Sequence, residues 1–238
     1  SGSGNKKKFT KKNLNLISKS LKNEQKKYNL KLSGGDTTNS NKVSFSITTI
    51  GFSNNIVERN KAKINDDIYV TGNIGDSYLG LKIIKNKIKI NSKLKKYFVN
   101  QFYCPNLPYK IYKEIHKFAN TSMDISDGLI SDINKLINKQ KLSYEINLNK
   151  IPISKILKFY LKKYNKKKYR YLFNGDDYQI LFTSHVNNRS LIKSISKKMN
   201  QKITIIGKIN NGYKKNLIKL DNKPQNLTKF KGYSHKFW

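Results

Sequence analysis

The amino-acid sequence predicts a mixed fold, α+β or α/β, in one large or two smaller domains. Three observations carry this. Short stretches such as Val43–Ile47 and Ile68–Val70 read as strands, while longer runs such as Leu14–Tyr28 and Leu129–Ile137 repeat their apolar residues at helical spacing. The third is length: 238 residues are enough to bury a sizeable core.

The elements follow in order. From Thr10, Leu14, Ile17, Leu21 and Tyr28 recur at intervals of three, four and seven, which predicts a helix. Leu30 and Leu32 lead into Gly34-Gly35-Asp36-Thr37-Thr38. Val43, Phe45 and Ile47 then alternate with Ser44, Ser46 and Thr48, which predicts a strand with one buried face. The chain turns polar between Arg59 and Asp67, and a boundary is placed there, dividing residues 1–58 from 59–238. Ile68-Tyr69-Val70 predicts a short strand. The helix after it carries Leu79, Ile83 and Ile84 inward, with Asp76 or Ser77 available as its cap. Pro105 and Pro108 break the next stretch ahead of a helix near 109–119. After Met123-Asp124-Ile125, the residues Leu129, Ile130, Ile133, Leu136 and Ile137 share one helical face. Strands are expected at 178–183 and 203–209, and no repeat of fixed period is present.

Composition narrows the function classes. The formal charge is +35, from 49 Lys and Arg against 14 Asp and Glu, and would suit a phosphate-rich partner. Yet Arg59, Arg170 and Arg189 are the only arginines, and arginine is the side chain that grips phosphates and base edges with two donors. The lysines are spread along the chain beside abundant Asn, Ile and Tyr, the bias of an AT-rich coding sequence. No specific nucleic-acid partner is expected, although polyanions would be attracted at low salt. Cys104 is the only cysteine, which rules out an intrachain disulfide and suits the cytoplasm, the expected location. No apolar run reaches the roughly 18 residues a membrane span needs, and no signal-peptide pattern appears.

With so few acids, their placement is easy to read. Asp36, Asp76, Asp127, Asp176 and Asp177 lie beside glycines in turns. In Gly34–Thr38, two glycines permit close approach of an anion, and one carboxylate with two hydroxyls offers hard oxygen ligands; a plain turn closed by Asp36 accounts for the same residues. In Asp124-Ile125-Ser126-Asp127-Gly128-Leu129, Ser126 and Asp127 stand where a helix cap belongs. Capping leaves Asp124 unexplained, and paired carboxylates at a helix start would equally suit a Mg2+–phosphate complex. Asn174-Gly175-Asp176-Asp177-Tyr178 is a third acidic turn, solvated by default. His116, His185 and His235 lack the spacing of a zinc site, and neither a Walker-type phosphate loop nor a protein-kinase glycine loop is present.

Together and in this order, the segments Gly34–Ser40, Asp67–Gly80, Thr121–Leu136, Asn174–Thr183, Ile203–Ile209 and Lys231–Phe237 resemble thiamine-monophosphate kinases, of the aminoimidazole-ribonucleotide synthetase-like superfamily. The resemblance implies an α+β, two-domain architecture. Residues 1–58 would be the end of an amino-terminal ATP-binding and dimerisation domain, and 59–238 a carboxyl-terminal α/β domain. It also implies a reaction: transfer of the γ-phosphoryl group of ATP to thiamine monophosphate, with Mg2+, in a homodimer. By resemblance Asp36, Asp124 and Asp127 are metal ligands, and Gly35, Asp36, Arg59 and Ser126 contact ATP. Asp176 and Tyr233 contact the thiamine substrate; no side-chain nucleophile is implied. Asp176 stands where the family has a glutamate, Tyr109 follows Pro108 where an arginine is expected, and the family's amino-terminal Gly-Asp-Asp segment is not in this sequence. The alternatives are another ATP-dependent enzyme of the superfamily, a basic nucleic-acid-binding protein, or a non-catalytic remnant.

Overall fold

The computed structural model describes residues 10–38 and 43–226. Contacts divide the chain into two units, with the division between Ser53 and Asn54.

In the first unit the expected helix forms as α1, Lys11–Tyr28, and Thr10 caps it by accepting the Asn13 amide. Asn29 ends it in the left-handed conformation that asparagine tolerates. The strand expected at 43–48 is absent. Val43, Phe45 and Ile47 are exposed, and no strand is present among the described residues of this unit to pair with them. Alternation alone makes half of a ladder; the other half has to come from a partner.

The second unit is built on a seven-stranded sheet in the order β2-β4-β1-β5-β3-β6-β7. Chain order runs β1 (Asp67–Thr71), α2 (Asp76–Ile84), α3 (Ser92–Tyr103), β2 (Thr121–Asp124), α4 (Leu129–Leu136) and β3 (Leu142–Asn147). It continues with α5 (Lys155–Lys163), α6 (Tyr169–Leu172), β4 (Ile180–Ser184), α7 (Arg189–Lys198), β5 (Ile203–Asn211), β6 (Leu217–Leu220) and β7 (Lys223–Pro224). All neighbouring pairs are antiparallel except β3 with β6. The helix expected over 109–119 is instead two short 3-10 turns, Tyr109–Lys113 and Ile115–Lys117.

Every residue of β1 is buried, because both faces of the sheet are covered. On one face Ile68 and Val70 meet Leu129, Ile133 and Leu136 of α4. On the other, Tyr69 stacks on Phe182 with ring centroids 4.9 Å apart and joins Phe118, Ile192 and Ile195. The register of β1 on β5 slips between Ile68 and Tyr69, leaving Ile206 as an extra residue. That bulge lets Ile206 and Ile209 share a core despite their odd spacing. A third core joins α2, α3, α5 and α6 through Leu79, Phe98, Tyr160 and Tyr171. Here Gly80 is indispensable, since a Cβ on it would lie 2.1 Å from the Phe98 carbonyl oxygen.

Candidate functional site

At one end of the sheet two loops lie side by side. Asp124 is paired with Ile180 across the β2–β4 ladder. Beyond it, the Ile125 amide donates to Gln179 O at 2.8 Å, and the Tyr178 and Asp176 amides donate to Ile125 O and Ser126 O, both at 2.9 Å. The backbones are so close that side chains are excluded. A Cβ on Gly175 would fall 1.6 Å from Ser126 O, and one on Gly128, at φ +117, 2.2 Å from Phe173 O. Asp176 and Tyr178 accept left-handed backbone angles, φ +68 and +49, to keep this contact.

The expected cap is corrected here. The residue at the start of α4 is Gly128, which offers no side chain, and neither Ser126 nor Asp127 caps the helix. Asp132, fully buried one turn in, reaches back instead. Its Oδ2 accepts the amides of Ser126, Asp127 and Gly128 at 2.9, 3.0 and 3.0 Å. The cap at Asp76 or Ser77 is corrected likewise, since α2 starts from Gly75 at φ +99. Capping therefore no longer explains Asp127. Its carboxylate pairs with the Lys135 ammonium, which also meets Asp132 Oδ1 at 3.0 Å. Partial burial acts against the Lys135 charge, but its bonds to Asp127 and Asp132 outweigh it and hold the ammonium above its ordinary range.

The acids feel one another. Burial first, then the Asp127 charge, raises the Asp176 carboxyl, against a weaker pull from Lys85. The Tyr178 hydroxyl is raised by burial and then by Asp176, Asp124 and Asp127. The structure thus brings Asp124, Ser126, Asp127 and Asp176 to one rim. Among the described residues no three His, Cys, Asp or Glu side chains converge as a metal cage. A carboxylate pair is nonetheless a fitting donor set for Mg2+, which is commonly held by one or two carboxylates together with phosphate oxygens and water.

Of the other expected residues, Arg59 lies apart from this rim. Arg59 is exposed and adjoins Asn60, whose amide bonds Leu136 O at the far end of α4, about 12 Å of helix from the acids. Gly35 and Asp36 belong to the first unit, where Asp36 Oδ1 accepts the Thr37 amide at 2.7 Å. Neither Gly34 nor Gly35 has positive φ, and a Cβ on either would meet nothing within 4 Å. Tyr233 lies outside the described residues.

Beside the rim is a network the sequence reading did not assign. Asp177 accepts the Gly75 amide with both oxygens, at 3.0 and 2.9 Å. Asp76 accepts the hydroxyls of Ser154 at 2.8 Å and Tyr97 at 2.9 Å. Asp76, Tyr97 and Asp177 line a polar cavity of about 130 Å³ with Gln101 and Gln179. The sequence signal for Asp132 was an acid in the first turn of a helix lacking a side-chain cap; for Asp177 it was the second acid of an adjacent pair, one of which must turn inward.

The family described as AIR synthase related protein, C-terminal domain, matches residues 63–219. The thiamine-monophosphate kinase of Buchnera aphidicola subsp. Schizaphis graminum is 35% identical over 227 residues, 93% of this chain and 69% of that protein. The chain belongs to the thiamine-monophosphate kinase family. The family member of Aquifex aeolicus is 36% identical over 157 residues, 66% of this chain and 51% of its own length. Among solved structures, AaThiL complexed with AMPPCP and TMP superposes with a TM-score of 0.62 at 31% identity, covering 76% of this chain and 54% of that one. The chain spans from about half to about two-thirds of the length of these curated kinases. The α+β architecture expected of the family is the one observed.

Proposed function

We propose that this chain carries the carboxyl-terminal part of a thiamine-phosphate kinase, which moves the γ-phosphoryl group of ATP onto the phosphate of thiamine monophosphate and yields thiamine diphosphate and ADP. The observation that carries the reading is the acidic rim itself. Asp124, Asp127 and Asp176 gather on two loops interlocked through their backbones, with the capping task taken over by Asp132. It is supported by the likeness to AaThiL complexed with AMPPCP and TMP.

The chemistry asks one anion to attack another, so the task of the protein is screening and alignment. Asp124 and Asp127 would hold Mg2+, which when bound neutralises phosphate charge. Ser126, fixed by the Asp132 bond to its amide, presents its hydroxyl beside the nucleotide phosphates. Asp176 orients thiamine monophosphate, with Tyr233 as a further substrate contact. For ATP we assign Arg59 and, in the first unit, Gly35 with Asp36, which also serves as a metal ligand. A homodimer working in the cytoplasm, and a division into residues 1–58 and 59–238, complete the proposal.

The test is calorimetric binding of Mg2+–ATP and of thiamine monophosphate to the full chain, with thiamine diphosphate formation followed in parallel. Asp124→Asn with Asp127→Asn is expected to weaken Mg2+–ATP binding about tenfold or more while leaving the fold intact. Unchanged binding in that double variant would sink the site assignment.

A further inference from the structure

Asp176 and Tyr178 hold backbone conformations that residues with side chains rarely adopt, at φ +68 and +49. Something must hold the turn between them. Two of its bonds are on the rim side, from the Asp176 and Tyr178 amides to Ser126 O and Ile125 O. The residues between and after them face the other way. Asp176 and Tyr178 point toward the rim, whereas Asp177 and Gln179 are buried.

The inward pair reaches the loop between β1 and α2. Gln179 accepts the Thr71 hydroxyl at 3.0 Å and donates to Asn106 O at 2.9 Å. Asp177 spreads both carboxylate oxygens over the Gly75 amide, at the amino-terminal end of α2. That end carries backbone amides without helical partners and a partial positive charge, so an acid there is favoured. Gly75 itself has no room to move away: at φ +99, a Cβ on it would meet Tyr171 O at 2.8 Å. The arrangement is a two-sided clamp in which rim bonds fix the turn on one side and the α2 terminus fixes it on the other.

We propose that Asp177 is a positioning residue: by accepting the Gly75 amide it ties Asn174–Tyr178 to the start of α2 and sets where Asp176 points. The substrate consequence rests on the reading of Asp176 given above; the anchoring does not. Burial drives the Asp177 carboxyl well above the usual range, and only the Gly75 and Ser77 amides act strongly against this. An acid buried without a cation partner is a costly way to fill space, and an anchor for a helix start gives it a use.

The experiment is amide hydrogen exchange on the full chain carrying Asp177→Leu, which keeps bulk but removes the acceptor. Exchange at Asp176 and Tyr178 is expected to quicken about tenfold or more, while Val70 and Leu181 in the sheet keep their rates. Unchanged rates at Asp176 and Tyr178, or an equal rise everywhere, overturn the proposal. Thiamine monophosphate affinity is read separately by calorimetry. Asp177→Leu should lose as much as Asp176→Leu, and the double variant no more than either, because both act through one group. If Asp176→Leu binds thiamine monophosphate like the unaltered chain, the substrate reading fails while the exchange result still decides the anchoring. Should Asp177→Leu not fold, the unaltered chain decides. The Gly75, Asp176 and Tyr178 amides must open with a single free energy, and separate values overturn the clamp.

Discussion

Asp132 Oδ2 holds the Ser126 amide at 2.9 Å, and the same oxygen takes the next two amides of the chain. One carboxylate thereby shapes the loop that carries Ser126 and Asp127, from a position with no solvent exposure. Replacing Asp132 by Ala strands three donors at once, the buried Gly128 amide and the half-buried amides of Ser126 and Asp127. The expected loss is about 2–4 kcal/mol. Urea unfolding of the full chain measures it, and a loss within about 0.5 kcal/mol, the scatter of ordinary surface substitutions, would show that the amides find other partners.

Two glycines that look alike in sequence should respond oppositely. Gly175→Ala puts a carbon 1.6 Å from Ser126 O and must push the two loops apart, so a drop of several degrees in melting temperature is expected. Gly35→Ala meets nothing within 4 Å and should leave the melting temperature unchanged. Its effect is expected in calorimetry, as weaker ATP binding. Equal melting temperatures for the two variants would contradict the close approach at Gly175.

Stability should carry an unusual dependence on pH. Burial raises the carboxyls of Asp76 and Asp177 above the unfolded value, although Ser154 and Tyr97 act in the opposite direction on Asp76 and the Gly75 and Ser77 amides on Asp177. The folded chain therefore keeps protons that the unfolded chain has already released above about pH 4. Their contribution is fully present below that point and is lost as pH rises toward the elevated folded values, the reverse of a salt-bridged aspartate. Asp177→Asn removes one of these titrations. The variant should accordingly gain on the unaltered chain as pH is raised from 5 to 8, as read by urea midpoints. A difference that does not change with pH would remove this linkage.

Lys135 occupies the carboxylate that Mg2+ would need. Its ammonium bridges Asp127 and Asp132, so a divalent cation entering at Asp127 must displace it or share the site. Lys135→Gln removes the competing charge and is expected to tighten Mg2+ binding to the full chain, by a few-fold given the pair's partial exposure. Titration calorimetry with Mg2+ alone checks this. Weaker binding would mean that Lys135 serves the site by orienting Asp127.

Much of this was legible from residue order. Apolar spacing located α1 and α4, and short apolar runs located β1 and most of β5. The rim was also readable, because acids are rare in this chain and each one stands out. What was not legible depended on partners distant in sequence. Val43–Ile47 alternates like a strand but lacks a neighbouring strand among the described residues of its unit. The helices α3, α5 and α7 were not among the expected elements, although α5 buries Leu157, Tyr160 and Leu161 and α7 buries Ile192 and Ile195. The cap at α4 was misplaced by a simple rule, that polar residues before a helix cap it. Gly128 and the returning Asp132 solve the same problem by a longer route. The inward turn of Asp177 could not be separated from the outward turn of Asp176 until the Gly75 amide was seen to meet it.

The first unit has a consequence for handling the protein. Val43, Phe45, Ile47, Ile50 and Phe52 all face solvent, Phe52 at 96% exposure, on a chain of net charge +35. Like charge keeps copies apart when the Debye length is long, and added salt shortens it. Clarity of solution should therefore fall as salt is raised, with the greasy stretch supplying the adhesion between copies. Dilute buffer, ordinarily the harsher choice for a sticky protein, is here the one that keeps it dispersed.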